Sequence, residues 1–355
     1  MKLSKQMNYE YEKVVTPSSG LRLHLNENTA GCSPAVLDAI RGITCETAAF
    51  YPDYADAIAA CCEHLEVPAS SLLLTNGLDE GILAASVAAL RGSPAADPFE
   101  AIVIVPAFDM YAACADAAGG RVIEIPQGDD FEFPLDAVLA AVGPRTRIVF
   151  ITTPNNPTGI TVPRSSILAI AAAAPGSLIF VDEAYVDFSG VTLVGDPSME
   201  THSNLVVGRT FAKAYGLAAI RAGALIGSPE TLAPIRRVVP PYSLNVAAAV
   251  AIPAALRDRE RYDWYLGEVR RSKRLLYDAF DRLDVRYWPS DGNFVLVRFG
   301  EMSGRVVSVL AERGIYLRDR SKDHGCSGCV RITAGVAEHT RRCIDAIEEV
   351  LCDAR

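Results

Sequence analysis

The sequence predicts an α/β fold with one large, mostly parallel sheet, followed by a smaller α+β domain. Up to about residue 245, short apolar runs alternate with alanine-rich segments of helical periodicity. Continuous apolar runs are typical of strands that helices cover on both faces. Beyond that residue the chain becomes charged and helical before its last strands appear. We therefore expect an N-terminal segment, 1–45, that joins the small domain, a large domain, 46–245, and a small domain, 246–355.

Seven apolar runs predict the strands of the large sheet. Each run is short and rich in residues that favour strands, and helical stretches at 79–90, 110–118 and 135–141 lie between them. Alternation of strand and helix in this way predicts a mostly parallel sheet. The predicted strands are 71–75, 101–106, 121–126, 147–153, 177–185, 204–210 and 223–227.

The small domain is predicted from a charged helical region and three strands. The helical region covers 254–283, and the strands are 293–299, 314–320 and 329–335. A final amphipathic helix over 337–351 closes the chain. Helices and strands that are grouped in this way predict an α+β arrangement.

Composition and charge exclude several classes of protein. Of the 355 residues, 50% are hydrophobic and 22% are charged, which is typical of a folded globular chain. The formal net charge is −9 and no basic run occurs, so we expect no nucleic-acid partner. Apolar stretches are interrupted too early to span a bilayer, so we expect no membrane partner. The N-terminus lacks the apolar core of a signal peptide, and a cytoplasmic location is expected.

The cysteines predict reduced thiols and no bound metal. There are nine of them, an odd number scattered along a long chain, which does not indicate a disulfide framework. Cys326 and Cys329 form one C-x-x-C pair, which is half of a typical zinc site. No second pair of that kind follows it, so no structural metal is expected.

A dinucleotide-binding dehydrogenase is the first alternative for an α/β chain of this length. None of the 26 glycines stands two residues from another, so the chain contains no G-x-G. The lysine motif of the P-loop is absent as well. The sequence therefore supports neither a dinucleotide-binding dehydrogenase nor a P-loop nucleotide-binding protein.

Lys213 and Arg221 stand in an otherwise small and apolar segment, GRTFAKAYGLAAIRAGALIG at 208–227. A buried charge without a partner is costly, so a folded chain rarely keeps one. The segment therefore predicts a negative or electrophilic ligand that both side chains face.

Three other polar segments follow predicted strands. TTPNNPTGIT, 152–161, holds two asparagines in a proline-bounded turn, and FVDEAYVDF places Asp182 at the end of a strand. LTNGLDEGILAA, 74–85, combines a strand, a glycine turn and a helix start, whose free N–H groups form an anion site. A single lysine or a single strand-end aspartate is most often an ordinary surface or capping residue. Together, however, the segments fit pyridoxal phosphate (PLP), which needs a lysine, a carboxylate and a phosphate cup.

The motifs and their order resemble those of the histidinol-phosphate aminotransferase family, among the fold-type I PLP-dependent transferases. The resemblance extends from about residue 22 to residue 350 and implies that fold. The matching stretches are SPAVLDAI, YPD, NGLDE, NNPTG, VDEAY, FAKAYGLAAIRAG and VRITAG.

The resemblance implies a homodimeric enzyme that transfers an amino group from an amino acid or histidinol phosphate to a 2-oxo acid such as 2-oxoglutarate. A PLP-dependent decarboxylase, lyase or cyclase on the same fold is the alternative, because sequence reads poorly which bond is cleaved. A non-catalytic binding protein is a third possibility. The intact set of Lys213, Asp182 and Arg221 argues against it.

The resemblance also implies roles for the residues around the cofactor ring. Lys213 forms the Schiff base with the cofactor aldehyde, and Asp182 keeps the ring nitrogen protonated. Asn156 and Tyr185 bind the ring hydroxyl, and Phe108 stacks on the ring face. Without the family, Phe108 and Tyr185 would be interpreted as core aromatics.

The cofactor phosphate is expected in a cup made by several elements. The family implies that Arg221 clamps the phosphate. It also implies contributions from the backbone amides of Leu78 and Asp79, the Thr210 hydroxyl and Tyr51 of the partner subunit.

Four residues are candidates for substrate binding. The family implies that Arg331 binds the α-carboxylate, although an arginine at the edge of a sheet is the plain structural alternative. Arg318 is the candidate for a separate, distal anion. Asn26, and Tyr242 in a segment expected to cross the dimer interface, complete the set.

The sequence departs from the family near the substrate. NENTAGCSP has Thr29, Ala30 and Cys32 where the family has proline, an aromatic residue and proline. Ala212 replaces a serine of the phosphate cup. Because the aromatic residue lies near the substrate in the family, its absence leaves two alternatives for the substrate, histidinol phosphate and an amino acid.

Overall fold

A computed structural model describes residues 17–94 and 96–353 of the chain. The strands are β1 Leu21–Arg22, β2 Leu72–Thr75, β3 Glu100–Val105, β4 Arg121–Pro126, β5 Thr146–Thr152, β6 Leu178–Asp182, β7 Leu205–Thr210, β8 Gly223–Gly227, β9 Arg286–Trp288, β10 Phe294–Arg298, β11 Ile315–Tyr316, β12 Arg318–Asp319 and β13 Cys329–Thr333. The helices are α1 Pro34–Arg41, α2 Cys45–Ala49, α3 Ala55–Leu65, α4 Leu78–Leu90, α5 Met110–Ala117, α6 Leu135–Ala141, α7 Arg164–Ala173, α8 Val186–Ser189, α9 Ser198–Thr201, α10 Pro229–Arg236, α11 Val246–Arg257, α12 Arg259–Leu283, α13 Ser303–Glu312 and α14 Ala337–Cys352.

The large sheet has seven strands in the order β2-β8-β7-β6-β5-β3-β4. Strand β8 runs antiparallel to both of its neighbours, and the other pairs are parallel. This confirms the predicted α/β fold with a mostly parallel sheet. Each of the seven apolar runs overlaps one of these strands, and the bounds differ by at most three residues.

Residues of β5 show why its sequence is apolar without interruption. Val149 and Ile151 pack in the core on one face of the sheet, whereas Ile148 and Phe150 pack in the core on the other. Successive side chains of a strand point to opposite faces, so a strand covered on both faces needs apolar residues at every position.

The carboxyl ends of the central parallel strands meet at one edge of the sheet. Thr152, the last residue of β5, pairs with Asp182, the last residue of β6, and Asp182 pairs with Gly208 of β7. Ligands of open α/β sheets bind outside this edge. The side chains that follow these strands are therefore brought together.

A second, antiparallel sheet has the order β12-β13-β10-β9 and packs against α12 and α13, and α14 packs on both of these helices. Its core includes Leu21 and Leu23 from the N-terminal segment. Strand β1 adds a parallel pair with β11. The predicted domain division, with an N-terminal segment that joins the small domain and boundaries at 45 and 245, stays a prediction.

The segment 314–320 differs from the single strand that the sequence predicts. It forms two short strands in different sheets, because β11 pairs with β1 and β12 pairs with β13. Leu317 lies between them and packs in the core. Hydrophobic pattern alone does not reveal such a change of partner, since the pattern continues through it.

The predicted helical region 254–283 is also divided. Asp258 ends α11 and caps α12, with its carboxylate accepting a hydrogen bond from the Arg261 backbone N–H at 3.2 Å. Over 17–94 and 96–353, no helix is long and apolar enough to cross a membrane.

Candidate active site

A cavity of about 370 Å³ lies at the carboxyl ends of β5, β6 and β7. Side chains of the large sheet form one part of its wall, and arginines of the antiparallel sheet form another. The predicted site residues that line it are Leu78, Asp79, Phe108, Asn156, Asp182, Tyr185, Thr210, Lys213, Arg221, Arg318 and Arg331.

Lys213 carries its amine into this cavity from the loop after β7. The neighbouring Phe211 and Ala214 are buried in the core and fix the loop. The Lys213 Nζ donates a hydrogen bond to the Leu25 carbonyl at 3.1 Å and lies 5.7 Å from the centroid of the Tyr185 ring. The apolar segment 208–227 therefore directs the Lys213 amine toward polar groups.

Asp182 is a buried carboxylate held by one hydrogen bond to each oxygen. The Tyr111 hydroxyl donates to Oδ2 at 2.5 Å, and the Ala184 N–H donates to Oδ1 at 2.8 Å. Burial raises the Asp182 pKa to about 6, although both hydrogen bonds and the Lys213 charge act in the opposite direction. Such a group is ready to pair with a positive ring nitrogen, which would favour its ionised form.

Arg331 lies in the interior of its sheet. Its neighbours Val330 and Ile332 pack in the small-domain core, so the Arg331 side chain leaves the opposite face. Arg331 is 5% exposed, donates to the Asn156 amide oxygen, and donates to the His24 carbonyl at 2.7 Å. Because β13 lies between β12 and β10, the alternative of an edge arginine does not apply.

Arg318 lies directly opposite Arg331 across the β12–β13 pair. Directly opposite residues of an antiparallel pair have their Cβ atoms about 5 Å apart on the same face. Both arginines line the cavity, so they share one end of it. The expected binding of a distal anion by Arg318 stays a prediction. The position of Arg318 opposite Arg331 depends on strand pairing, which the sequence does not reveal.

Arg221 lies across the start of α4. Its guanidinium donates to the Ala218 carbonyl at 3.1 Å and to the Asp79 carboxylate at 2.8 Å. Gly77, the residue before the helix, has φ +77°, and a Cβ there would lie 2.5 Å from Arg221 Nη2. No side chain caps this end of α4, so the first N–H groups of the helix remain available to an anion.

Tyr185 and Phe108 form aromatic parts of the cavity wall. The Tyr185 hydroxyl accepts a hydrogen bond from the Asn26 side chain at 3.0 Å. Asn26 itself is fully buried, does not line the cavity and contacts Tyr185 from behind. Phe108 packs edge-to-face on Tyr111, with ring centroids 5.7 Å apart.

Two predicted residues lie outside this cavity. Tyr51 is 79% exposed and Tyr242 is 54% exposed, and their rings stack on each other at 4.4 Å. Their predicted contact with a partner subunit's cavity stays a prediction.

The sequence reasoning missed six polar residues of the cavity: Arg22, Glu27, Asp109, Tyr111, Thr152 and Arg320. Arg320 could have been found, since it stands two residues after Arg318 and strand side chains repeat with that period. Arg22 and Glu27 form an ion pair, and Arg320 pairs with Asp323. Tyr111 reaches the site from the first turn of α5, which no local pattern indicates.

The cavity fits PLP group by group. It offers a lysine amine for an aldehyde, a buried carboxylate for a ring nitrogen, and an arginine at a helix start for a phosphate. The space that Gly77 leaves beside Arg221 is consistent with such a phosphate cup. In the described ranges no cluster of three or more His, Cys, Asp or Glu could hold a metal ion, and the nine cysteines are free.

Comparisons with known proteins agree with this fit. Residues 18–348 match the family model described as aminotransferase class I and II. A histidinol-phosphate aminotransferase from Methanococcoides burtonii is 32% identical over 94% of this chain and 91% of its own. A histidinol-phosphate aminotransferase 2 from Ralstonia nicotianae is 34% identical over 94% and 89%, respectively.

A solved structure extends the comparison to the cofactor. The histidinol-phosphate aminotransferase of Sinorhizobium meliloti, in complex with pyridoxal-5'-phosphate, superposes with a TM-score of 0.82 at 25% identity. The match covers 94% of this chain and 92% of that one. The chain therefore belongs to the class I and II aminotransferases and is a PLP-dependent aminotransferase with the fold-type I architecture.

Proposed function

We propose that this aminotransferase takes its amino group from histidinol phosphate and passes it to a 2-oxo acid such as 2-oxoglutarate. The observation that carries the proposal is the Arg318–Arg331 pair at one end of the cavity. In histidinol phosphate, a phosphate ester stands where an amino acid has its α-carboxylate. Both kinds of substrate therefore present their anion at the same place.

The charge at this end of the cavity suits a phosphate ester. A carboxylate with one negative charge is satisfied by one arginine, whereas a phosphate ester carries up to two charges and three acceptor oxygens. Arg331 and Arg320 also each have a buried Nε without a hydrogen-bond partner among the described residues. Burial, together with the charges of Arg320 and Arg318, lowers the Arg331 pKa to about 10, and an anion here would favour the charged guanidinium.

The remaining residues support the amino transfer itself. When bound, PLP accepts the amino group and withdraws electrons from the substrate Cα. Lys213 would act as the base at the substrate Cα, and Asp182 would keep the cofactor's ring nitrogen protonated. Arg221, Thr210 and the first amides of α4 bind the phosphate, while Asn156 and Tyr185 bind the ring hydroxyl.

The names of the relatives support histidinol phosphate as the donor. Hydrogen bonds hold the segment that departs from the family. Thr29 accepts a hydrogen bond from the Val336 N–H at 2.8 Å, and the Ala30 carbonyl accepts one from Arg261 at 2.8 Å. Ala30 leaves more space than an aromatic residue would. An aromatic amino acid as donor is the competing outcome.

We also propose that two chains form the active enzyme as a homodimer in the cytoplasm. Phe50, Tyr51 and Tyr242 are large apolar side chains that are 68%, 79% and 54% exposed. Exposed aromatic residues of this kind are typical of protein interfaces. The dimer would place Tyr51 and Tyr242 against the cavity of the neighbouring subunit.

Initial-rate kinetics with histidinol phosphate, phenylalanine and glutamate, each with a 2-oxo acid acceptor, test the substrate. We expect histidinol phosphate to give the highest kcat/KM of the amino donors other than glutamate. Transfer from phenylalanine with no turnover of histidinol phosphate would overturn the substrate and leave the aminotransferase activity intact. For substitutions of Arg318 or Arg331, the matched control is Arg313→Gln, which breaks an exposed ion pair with Glu349.

A further inference from the structure

A buried tyrosine, Tyr111, bridges the last residue of β5, Thr152, and the last residue of β6, Asp182. Thr152 donates a hydrogen bond from its hydroxyl to the Tyr111 hydroxyl at 2.9 Å, and Tyr111 donates to Asp182 Oδ2 at 2.5 Å. Thr152 and Asp182 are themselves paired at the ends of β5 and β6. The Tyr111 hydroxyl is thus placed between two fixed points of the sheet.

The Tyr111 ring is held tightly. It is 1% exposed and stacks on Phe150 with centroids 5.0 Å apart and an angle of 18° between the planes. Phe108, which lines the cavity, meets it edge-to-face at 86°. A ring packed on both sides keeps its hydroxyl in one position.

In the hydrogen bond between Tyr111 and Asp182, the phenol is the donor and the carboxylate is the acceptor. Burial and the neighbouring Asp182 raise the Tyr111 pKa well above its ordinary value, so the phenol keeps its proton and always acts as the donor. The other groups facing Asp182 are the Ala184 N–H, the Asp79 carboxylate and the Lys213 amine. Asp79 disfavours the ionised form of Asp182, whereas Tyr111, Ala184 and Lys213 favour it.

We propose that Tyr111 is a positioning residue for amino transfer, which keeps the Asp182 carboxylate ionised and oriented toward the ring nitrogen of the cofactor. Thr152 completes the arrangement by donating to the Tyr111 oxygen, which strengthens that oxygen as a donor. Without the Tyr111 hydroxyl, a proton shared between Asp182 and the ring nitrogen moves toward Asp182. The ring then withdraws electrons less strongly from Cα. This inference is independent of which amino donor the enzyme uses.

Tyr111→Phe tests the proposal, because it retains the ring and removes only the hydroxyl. The holoenzyme is reconstituted with PLP labelled with ¹⁵N at the ring nitrogen, and the ¹⁵N chemical shift is recorded near neutral pH. We expect the shift to move from the protonated toward the unprotonated value. We also expect kcat to fall roughly 10- to 100-fold, as for loss of a hydrogen bond to a charged group, with KM little changed. Thr152→Val should change both quantities in the same direction by less.

Tyr262→Phe is the matched control. Tyr262 also donates to a carboxylate, that of the half-buried Asp187, at 2.8 Å, but Tyr262 lies outside the cavity. The Tyr262→Phe variant should have lower thermal stability and an unchanged ¹⁵N chemical shift. A Tyr111→Phe holoenzyme that retains the wild-type ¹⁵N shift, or that loses only stability as Tyr262→Phe does, would overturn the proposal.

Discussion

Arg318 and Arg331 stand directly opposite each other on neighbouring antiparallel strands, with both side chains on the wall of the same cavity. Like charges at directly opposite positions destabilise a sheet. An anion in the cavity would reduce the repulsion between the two guanidinium groups. The arrangement connects strand register to substrate choice.

Arg318→Gln should distinguish the two anions. Loss of a charge-assisted hydrogen bond costs roughly 1.5–3 kcal/mol, or about 10- to 200-fold in kcat/KM. We expect a loss of this size for histidinol phosphate and a smaller one for glutamate, whose carboxylate Arg331 can bind alone. Arg331→Gln should impair both substrates. Equal losses for Arg318→Gln with both substrates would contradict the shared anion site.

Gly77→Ala should weaken cofactor binding. A Cβ at this position would lie 2.5 Å from Arg221 Nη2, and the φ of +77° is strained for a residue with a side chain. We expect the PLP dissociation constant to rise about 10-fold or more, because Arg221 must shift. Gly92→Ala is the control, since Gly92 has φ +74° and nothing within 4 Å of an added Cβ. It should lower stability and leave PLP affinity unchanged.

Asp182→Asn should stabilise the cofactor-free chain at neutral pH. Folding raises the Asp182 pKa from 3.8 to about 6, so its ionisation opposes folding. That cost is absent below pH 4, grows as the pH rises from 4 to 6, and is complete above pH 6. A shift of this size corresponds to about 3 kcal/mol at most. Urea unfolding at pH 4 and pH 8 checks it, and an advantage of the variant that is larger at pH 4 would refute the prediction.

Mixed dimers should regain activity from two inactive parents. In the proposed homodimer, Tyr51 completes the neighbour's site, whereas Lys213 serves its own. A Lys213→Ala chain mixed with a Tyr51→Ala chain therefore forms one intact site in each hybrid. We expect partial activity after unfolding and refolding the mixture, and none from either parent. An active monomer in analytical ultracentrifugation would rule out the composite site.

Much of the site was predictable because its residues follow strands. Asp182, Asn156 and Lys213 each come after an apolar run, and parallel strands bring such positions to one edge of the sheet. Motifs that match a family then assigned each residue a role. The helices and strands that periodicity predicted for the large domain lie within a few residues of the observed ones.

What could not be predicted depends on pairing between distant segments. The register of β12 on β13 places Arg318 and Arg331 at the same end of the cavity. The segment 314–320 changes from one sheet to another although its hydrophobic pattern continues without a break. Tyr111 reaches Asp182 across 71 residues of sequence, and Asn26 supports Tyr185 across 159. Contacts of this kind leave no local signal.

The attachment of the cofactor to Lys213 is the central claim, and reduction of the holoenzyme with borohydride tests it most directly. Reduction fixes PLP covalently to the amine that holds it, and peptide mapping then identifies the residue. We expect a single pyridoxyl group on Lys213 and none in a Lys213→Ala variant. Lys273, whose amine donates to the Ser290 carbonyl at 2.6 Å, should remain unmodified. A pyridoxyl group on Lys273 or Lys322, with Lys213 unmodified, would contradict the assignment of the site.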